Sequence, residues 1–323
     1  MKISAMSHKP NGDFNHGADS WPISVFRVWT MRPLLLILLA FFVAAPAQAQ
    51  VQAQAPFRSD RILVETRGHG PDVVLIPGLA STAAVWRRTA DRLDDRYRVH
   101  LVTVRGFGPT DPGANASGAV SGPVAAEIRR YITQAGLRRP ALIGHSLGGQ
   151  IALRVAAADG RRIGRVMVVD AAPFFPSLIS DGARSQDVEP IAQIAYSALL
   201  LLGDDALKNR GAALGADLGG ASDALFGTLG WQGGDRRVLA QGLYEVMTAD
   251  LRARLRDIVA PVTVVYGWSA DGANPRARVD ALFRAGYRGL RAPARFERIE
   301  GAEHMVMVDQ PMRFQAAVDR FLE

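Results

Sequence analysis

Short β-branched runs alternate with helical patterns along most of the chain. The runs fall at 61–66, 72–76, 99–104, 140–143, 165–169, 261–266 and 295–299. Each is short, rich in Val, Ile or Leu, and bounded by turn residues, so each predicts a strand. Between them, apolar positions recur every three or four residues. In 82–93 these are Val85, Trp86, Ala90 and Leu93; in 120–135, Val124, Ile128, Tyr131 and Ile132. In 147–158 they are Leu147, Ile151, Val155 and Ala158; in 312–322, Phe314, Ala317, Val318 and Phe321. That period predicts four amphipathic helices. Strands alternating with helices imply an α/β fold, a mostly parallel central sheet with helices on both faces. A functional site is then expected at the carboxyl ends of the strands.

The alternation breaks twice. Residues 171–260 separate two strand candidates and carry helical pieces near 191–202 and 238–251. So long a connection with helices of its own predicts an inserted helical cap, leaving 50–170 and 261–323 as the core. The other break is at the start. Arg32 precedes an apolar run over 34–45, and Ala47-Gln48-Ala49 follows it. A membrane-spanning helix needs about 20 apolar residues, so the run is too short to cross a bilayer comfortably. Basic flank, short apolar core and small residues at the cleavage positions together predict a signal peptide over 1–49 and an exported, periplasmic or secreted product. The polar stretch 1–30 is unusual ahead of such a signal, and Met31-Arg32-Pro33 would make a compact start.

Composition narrows the chemistry. The 323 residues include no cysteine, which excludes disulfides, thiolate metal ligands and a thiol nucleophile. The formal net charge is +7, with basic residues mostly arginine and paired at most. Charge this diffuse does not predict a nucleic-acid surface. Removing 1–49 takes away four basic and two acidic residues and leaves +5. At this length an apolar core suffices for stability without cross-links.

Gly144-His145-Ser146-Leu147-Gly148 matches G-x-S-x-G between a predicted strand and a predicted helix. A sharp strand-to-helix turn exposes the central serine above the sheet, and the glycines give it room. Ser146 is therefore the candidate nucleophile. A serine needs a base. Beyond residue 49 the histidines are His69, His100, His145 and His304. His69 lies in a turn before a strand, His100 starts one, and His145 is the serine's neighbour, expected to point elsewhere. His304 lies on a loop after the last strand, at the same sheet edge as Ser146, and is the candidate base. The orienting carboxylate has two candidates. Asp271, four residues after Gly267, is preferred; Asp170, directly after the strand 165–169, is its rival. The expected oxyanion donors are the amides of Leu147 and of Leu79, the latter in Pro77-Gly78-Leu79-Ala80.

With these residues in place the chain resembles α/β-hydrolase-fold enzymes of the capped esterase and lipase type. The resemblance covers about 60–323. It rests on Ile76-Pro77-Gly78-Leu79, Arg105-Gly106-Phe107-Gly108, Gly144-His145-Ser146-Leu147-Gly148-Gly149, Asp271, and Gly301-Ala302-Glu303-His304 with Asp309-Gln310-Pro311. It implies a Ser146–His304–Asp271 triad acting on carboxylic esters through an acyl-enzyme, with no metal or organic cofactor. Three departures stand out. Pro77-Gly78 replaces the usual His-Gly, Thr103 stands where an aspartate is common, and Gly267 to Asp271 is one residue longer than usual. Aromatic and leucine residues in 171–260, among them Tyr196, Phe226 and Trp231, suggest small to medium apolar ester substrates. Lactones, amides, peptide N-termini, or a ligand-binding role with little turnover are the alternatives that the same fold allows. No nucleic-acid partner and no stable membrane insertion after signal cleavage are expected.

Overall fold

The computed structural model describes residues 57–210, 231–270, 272 and 274–323. The expectations for 1–49 and for Phe226 and Asp271 lie outside the described residues.

Seven strands form one sheet in the order β1-β3-β2-β4-β5-β6-β7. They are β1 Ile62–Arg67, β2 Asp72–Ile76, β3 Arg98–Val104, β4 Ala141–His145, β5 Arg165–Val169, β6 Val262–Trp268 and β7 Arg295–Glu300. Only β1 runs antiparallel to its neighbour, with Ile62 opposite Val104. All other pairs are parallel. β1 is an edge strand and exposes Leu63, Glu65 and Thr66, whereas every residue of β2 and β4 is buried. Continuous apolar runs in the middle of the sheet follow from helices covering both faces.

Successive strand residues point to opposite faces. Val74, Ile76, Leu142, Val166 and Val168 enter one core, with Ile128 and Ile151 from α2 Ser121–Gln134 and α3 Leu147–Ala158. Val73, Leu75, Ile143, Met167 and Val169 enter the other, where Trp86 and Phe314 meet. Trp86 precedes α1 Arg87–Leu93, and Phe314 lies on α8 Pro311–Leu322.

Two departures from the pattern are local. The helix expected over 82–93 is split. Thr82 caps a 3₁₀ turn, Ala83–Trp86, by accepting the Ala84 N–H at 3.3 Å, and only Arg87–Leu93 is α-helical. A helix not anticipated, α6 Arg276–Gly286, lies between β6 and β7, and the one-turn α7 Val306–Asp309 precedes α8.

The β5–β6 connection holds α4 Ser185–Arg210 and α5 Arg236–Thr248, which pack on each other. It is fastened to the loops at the carboxyl edge. Asp235 N–H donates to Gly106 O at 2.8 Å, Gly108 N–H to Gly233 O at 2.8 Å, and Gln232 N–H to Ala80 O at 2.8 Å. Glu245 of α5, buried, accepts the N–H groups of Val120 and Ser121 at 2.7 and 2.8 Å, together with the Ser121 hydroxyl. These are first-turn donors of α2, which have no partner within their own helix. One carboxylate thus satisfies a core helix and anchors α5. Among the described residues no helix is long and apolar enough to cross a membrane.

Candidate active site

β4 ends at His145, and α3 begins at Leu147. Ser146 between them has φ 52° and ψ −122°, a conformation that side chains avoid. A non-glycine residue held there indicates strain kept by its surroundings. The surroundings are visible. Ser146 N–H donates to Val169 O at 3.0 Å, and Ser146 O accepts the Gly149 N–H at 2.8 Å. A β-carbon on Gly144 would lie 2.2 Å from Gly148 O, and one on Gly148 would lie 2.3 Å from Ile76 O. Only glycine permits so tight a turn beside β2.

Because the strands are parallel, the residues after β4, β5 and β7 share one edge. Asp170 follows β5 with φ 44°. Its N–H donates to Val265 O at 2.8 Å, and its Oδ1 accepts the Gly267 N–H at 3.1 Å. Its Oδ2 lies 2.7 Å from His304 Nδ1. The side chains of Asp170 and His304 are both 16% exposed, so the pair is shielded yet open on one side. The carboxylate on His304 is therefore that of Asp170, the second-ranked candidate. Asp271, preferred from its spacing after Gly267, is not described. The physical signal for Asp170 was its place directly at the end of a central strand. Its positive φ, which swings the carboxylate toward β7, is not written in the sequence.

The loop bearing His304 is pinned by the motif that follows it. Asp309 Oδ2 accepts the Glu303 N–H at 2.9 Å, and Gln310 donates to Gly301 O at 3.0 Å. A further support went unanticipated. His145 is fully buried, and its Nε2–H donates to His304 O at 2.9 Å, with the two rings 4.6 Å apart. A carbonyl partner requires the proton on Nε2, leaving Nδ1 as a bare nitrogen. Burial, reinforced by the nearby His304, holds the His145 pKa well below the usual imidazole value, so the ring stays neutral. The neighbour of the serine is thus a strut for the base. Its ring reaches the His304 loop.

Of the two expected oxyanion donors, Leu147 directly follows the serine, and Leu79 lies in the loop after β2. Leu147 is the first residue of α3. The loop containing Leu79 comes close enough that a β-carbon on Gly78 would lie 2.8 Å from His145 Nδ1 and 3.1 Å from Ser146 Cβ. Ala80 completes the loop with φ 57°. Helix α5 sits over it, and a β-carbon on Gly242 would lie 2.7 Å from Leu79 Cδ1. Thr103, at the position where an aspartate was noted as common, accepts the Ala83 N–H at 2.9 Å.

Tyr287, buried, donates to Ala171 O at 2.8 Å. Burial and then the Asp170 charge raise its pKa well above normal, so it remains a neutral phenol behind the dyad. A cleft of about 290 Å³ opens beside Asp170 and His304. Leu178, Trp268, Val279 and Phe283 form its apolar wall, with Ser269 and Asn274 at its polar side.

Comparison with known proteins identifies the family and the fold. The alpha/beta hydrolase family profile matches residues 73–318. A pimeloyl-[acyl-carrier protein] methyl ester esterase of Yersinia enterocolitica is 28% identical over 264 residues, covering 78% of this chain and 93% of the relative. The enzyme of the same name from Nitrosospira multiformis is 23% identical over 271 residues, covering 80% and 97%. Among solved structures, an esterase from Exiguobacterium antarcticum superposes with TM-score 0.62 at 22% identity, covering 80% of this chain and 94% of its own. An enol-lactonase from Burkholderia xenovorans LB400 gives TM-score 0.57 at 20% identity, covering 81% and 96%. These two likenesses establish the fold. The family profile spans most of the chain, across all the residues assembled at this edge, and the chain belongs to the alpha/beta hydrolase family.

Proposed function

We propose that the protein hydrolyses carboxylic esters through a Ser146–His304–Asp170 triad. The observation that carries this reading is the 2.7 Å contact of Asp170 Oδ2 with His304 Nδ1, on the same sheet edge as a serine in a strained strand-to-helix turn. Such a contact fixes the imidazole with its proton on Nδ1, leaving Nε2 to accept the serine proton.

Ser146 Oγ attacks the acyl carbon as its proton passes to His304 Nε2. The carbonyl oxygen becomes an oxyanion facing the Leu79 and Leu147 amides. The carbon–oxygen ester bond then breaks, and the leaving alkoxide takes the proton from His304. Water attacks the acyl-enzyme by the same route, releasing the acid and restoring Ser146. We take the β5–β6 connection, with α4 and α5 among the described residues, as the cap of this site.

Relatives named for a methyl ester favour a small leaving alcohol on a longer acyl chain. We further propose small to medium apolar esters as its substrates. We also propose that residues 1–49 direct export, to be tested by N-terminal sequencing of the secreted or periplasmic product.

The test is a rate panel of p-nitrophenyl esters from acetate to palmitate, with Ser146→Ala beside the wild type. The expected result is turnover that is lost by about six orders of magnitude in the variant. Equal turnover in both proteins overturns the reading.

A further inference from the structure

Leu79, the second expected oxyanion donor, lies in the loop 77–82. The sheet fixes the start of this loop, where Ile76 is in register with Gly144. Its far end is fixed by Ala83, whose N–H donates to Thr103 Oγ1 at 2.9 Å. Between these points the chain has little to hold it from within. Pro77 has no N–H to give. The turn is closed by a long bond, from Ser81 N–H to Gly78 O at 3.3 Å. Ala80, directly after Leu79, has φ 57°. A residue with a β-carbon leaves that left-handed conformation unless its surroundings hold it there.

One residue of the β5–β6 connection supplies that hold. Gln232 N–H donates to Ala80 O at 2.8 Å. Its side-chain Oε1 accepts the Thr82 N–H at 3.0 Å and the Thr82 hydroxyl at 2.7 Å. Backbone and side chain of Gln232 thus grip the loop on both sides of Ser81. Gln232 is itself well placed to do so. Gly233 O accepts the Gly108 N–H, Asp235 N–H donates to Gly106 O, and Gly234 forms an antiparallel bridge with Phe107. Asp235 then caps α5 by accepting the Arg237 N–H at 2.9 Å. Further along α5, Gly242 packs so near Leu79 that a β-carbon on it would lie 2.7 Å from Leu79 Cδ1. Gln232 is exposed and adds little to the core. Its three bonds all end on the loop that carries Leu79.

We propose that Gln232 is a positioning residue for the oxyanion loop, an inference that rests on the ester-hydrolase reading above. It acts through Leu79 and touches no reacting atom. Its acceptor Oε1 ties Thr82 to the start of α5, so the β5–β6 connection and the oxyanion loop hold one geometry together. Without Oε1, water can still satisfy Thr82, and the fold persists. Water is not anchored to α5, however, so the loop loses its register. Misplacement of a catalytic group by 1 Å costs about 10²-fold in rate. Loss of one exposed neutral acceptor loosens the loop by less, and about fivefold to tenfold in kcat is expected. The oxyanion forms only on the way to the tetrahedral intermediate, so the loss falls on kcat and spares KM.

The experiment compares the full chain with Gln232→Met and Gln232→Glu. Met keeps the length of the side chain and removes the acceptor; Glu keeps an acceptor oxygen. Each protein is assayed on the best p-nitrophenyl ester and inhibited by two probes with the same apolar chain. One is a trifluoromethyl ketone. Ser146 Oγ adds to its carbonyl carbon, the serine proton passes to His304, and the ketone oxygen becomes an oxyanion. The other is the matching carbinol, which forms no oxyanion. In Gln232→Met, kcat and ketone affinity should both fall about fivefold to tenfold, while KM and carbinol affinity stay within about twofold. Its melting temperature should stay within about 4 °C of wild type. Gln232→Glu should match the wild type within about twofold throughout. Unchanged kcat in Gln232→Met, with Ser146-dependent turnover in the wild type, overturns this inference alone. So does a loss in Gln232→Glu equal to that in Gln232→Met, or carbinol affinity falling as much as ketone affinity. A folded wild type without Ser146-dependent turnover overturns the hydrolase reading and this inference with it.

Discussion

Replacing Asp170 by Asn tests the assignment of the orienting group with little disturbance of shape. Asparagine tolerates the positive φ of 44° at this position. Its amide must serve two partners. Gly267 N–H, at 3.1 Å, requires an oxygen. With the amide oxygen there, the NH₂ faces His304 Nδ1 at the 2.7 Å contact. A donor opposite Nδ1 drives the imidazole proton to Nε2, the atom that must accept the Ser146 proton. The opposite flip keeps the correct tautomer but sets NH₂ against the Gly267 N–H, leaving that donor unmet at about 1–3 kcal/mol. The wrong tautomer therefore dominates. The expected fall in kcat is about 10⁴-fold, or about 5.5 kcal/mol of transition-state stabilisation, on the scale known for this change in a serine protease triad. KM and melting temperature should change little. The assay is steady-state hydrolysis of the best p-nitrophenyl ester, with Asp271→Asn measured in parallel. A large loss in Asp271→Asn with near-normal rates in Asp170→Asn would refute the reasoning.

Three further outcomes follow from the same geometry. Gly78→Ala places a methyl group 2.8 Å from His145 Nδ1 and 3.1 Å from Ser146 Cβ, and it should lower kcat by about 10²-fold by displacing the oxyanion loop; an unchanged kcat would show that the loop plays no such part. Glu245→Gln sets an NH₂ group against the donors at the start of α2 and should cost about 1–3 kcal/mol, read as a fall of several degrees in melting temperature; an unchanged melting curve would contradict the anchoring role. Burial is the largest cause holding the pKa of both His145 and His100 below 6.5, so below that pH the unfolded chain binds protons that the folded chain refuses. Unfolding free energy should thus fall as pH drops from 6.5, by up to about 1.4 kcal/mol per pH unit for each histidine. Urea titrations at pH 7 and 5 with equal midpoints would refute this.

How much of this was legible beforehand depended on whether the signal was periodic. The central strands could be read because burial on both faces leaves mostly apolar residues, as in β2 and β4. α6 was missed although Val279, Leu282 and Phe283 keep a helical spacing, because that spacing lasts only one turn in an arginine-rich segment. The split at Trp86 depends on the Thr82 hydroxyl accepting the Ala84 N–H, which competes with helix formation but leaves no periodic trace. Ser146 was singled out by G-x-S-x-G between a strand and a helix, and His304 by elimination among the histidines and its place after the last strand. The carboxylate could not, because residue spacing after Gly267 pointed to Asp271, whereas a positive φ at Asp170 sets the observed contact. His145 was set aside for pointing away from Ser146; its burial beneath the His304 loop is what gives it a role.

The central claim is that Ser146 is the residue that carries the acyl group. Its most direct test is reaction with a fluorophosphonate, followed by peptide mass mapping. One adduct per chain, on the peptide containing Ser146 and absent from Ser146→Ala, is the predicted result. An adduct on another residue, or none on folded protein, would contradict the account.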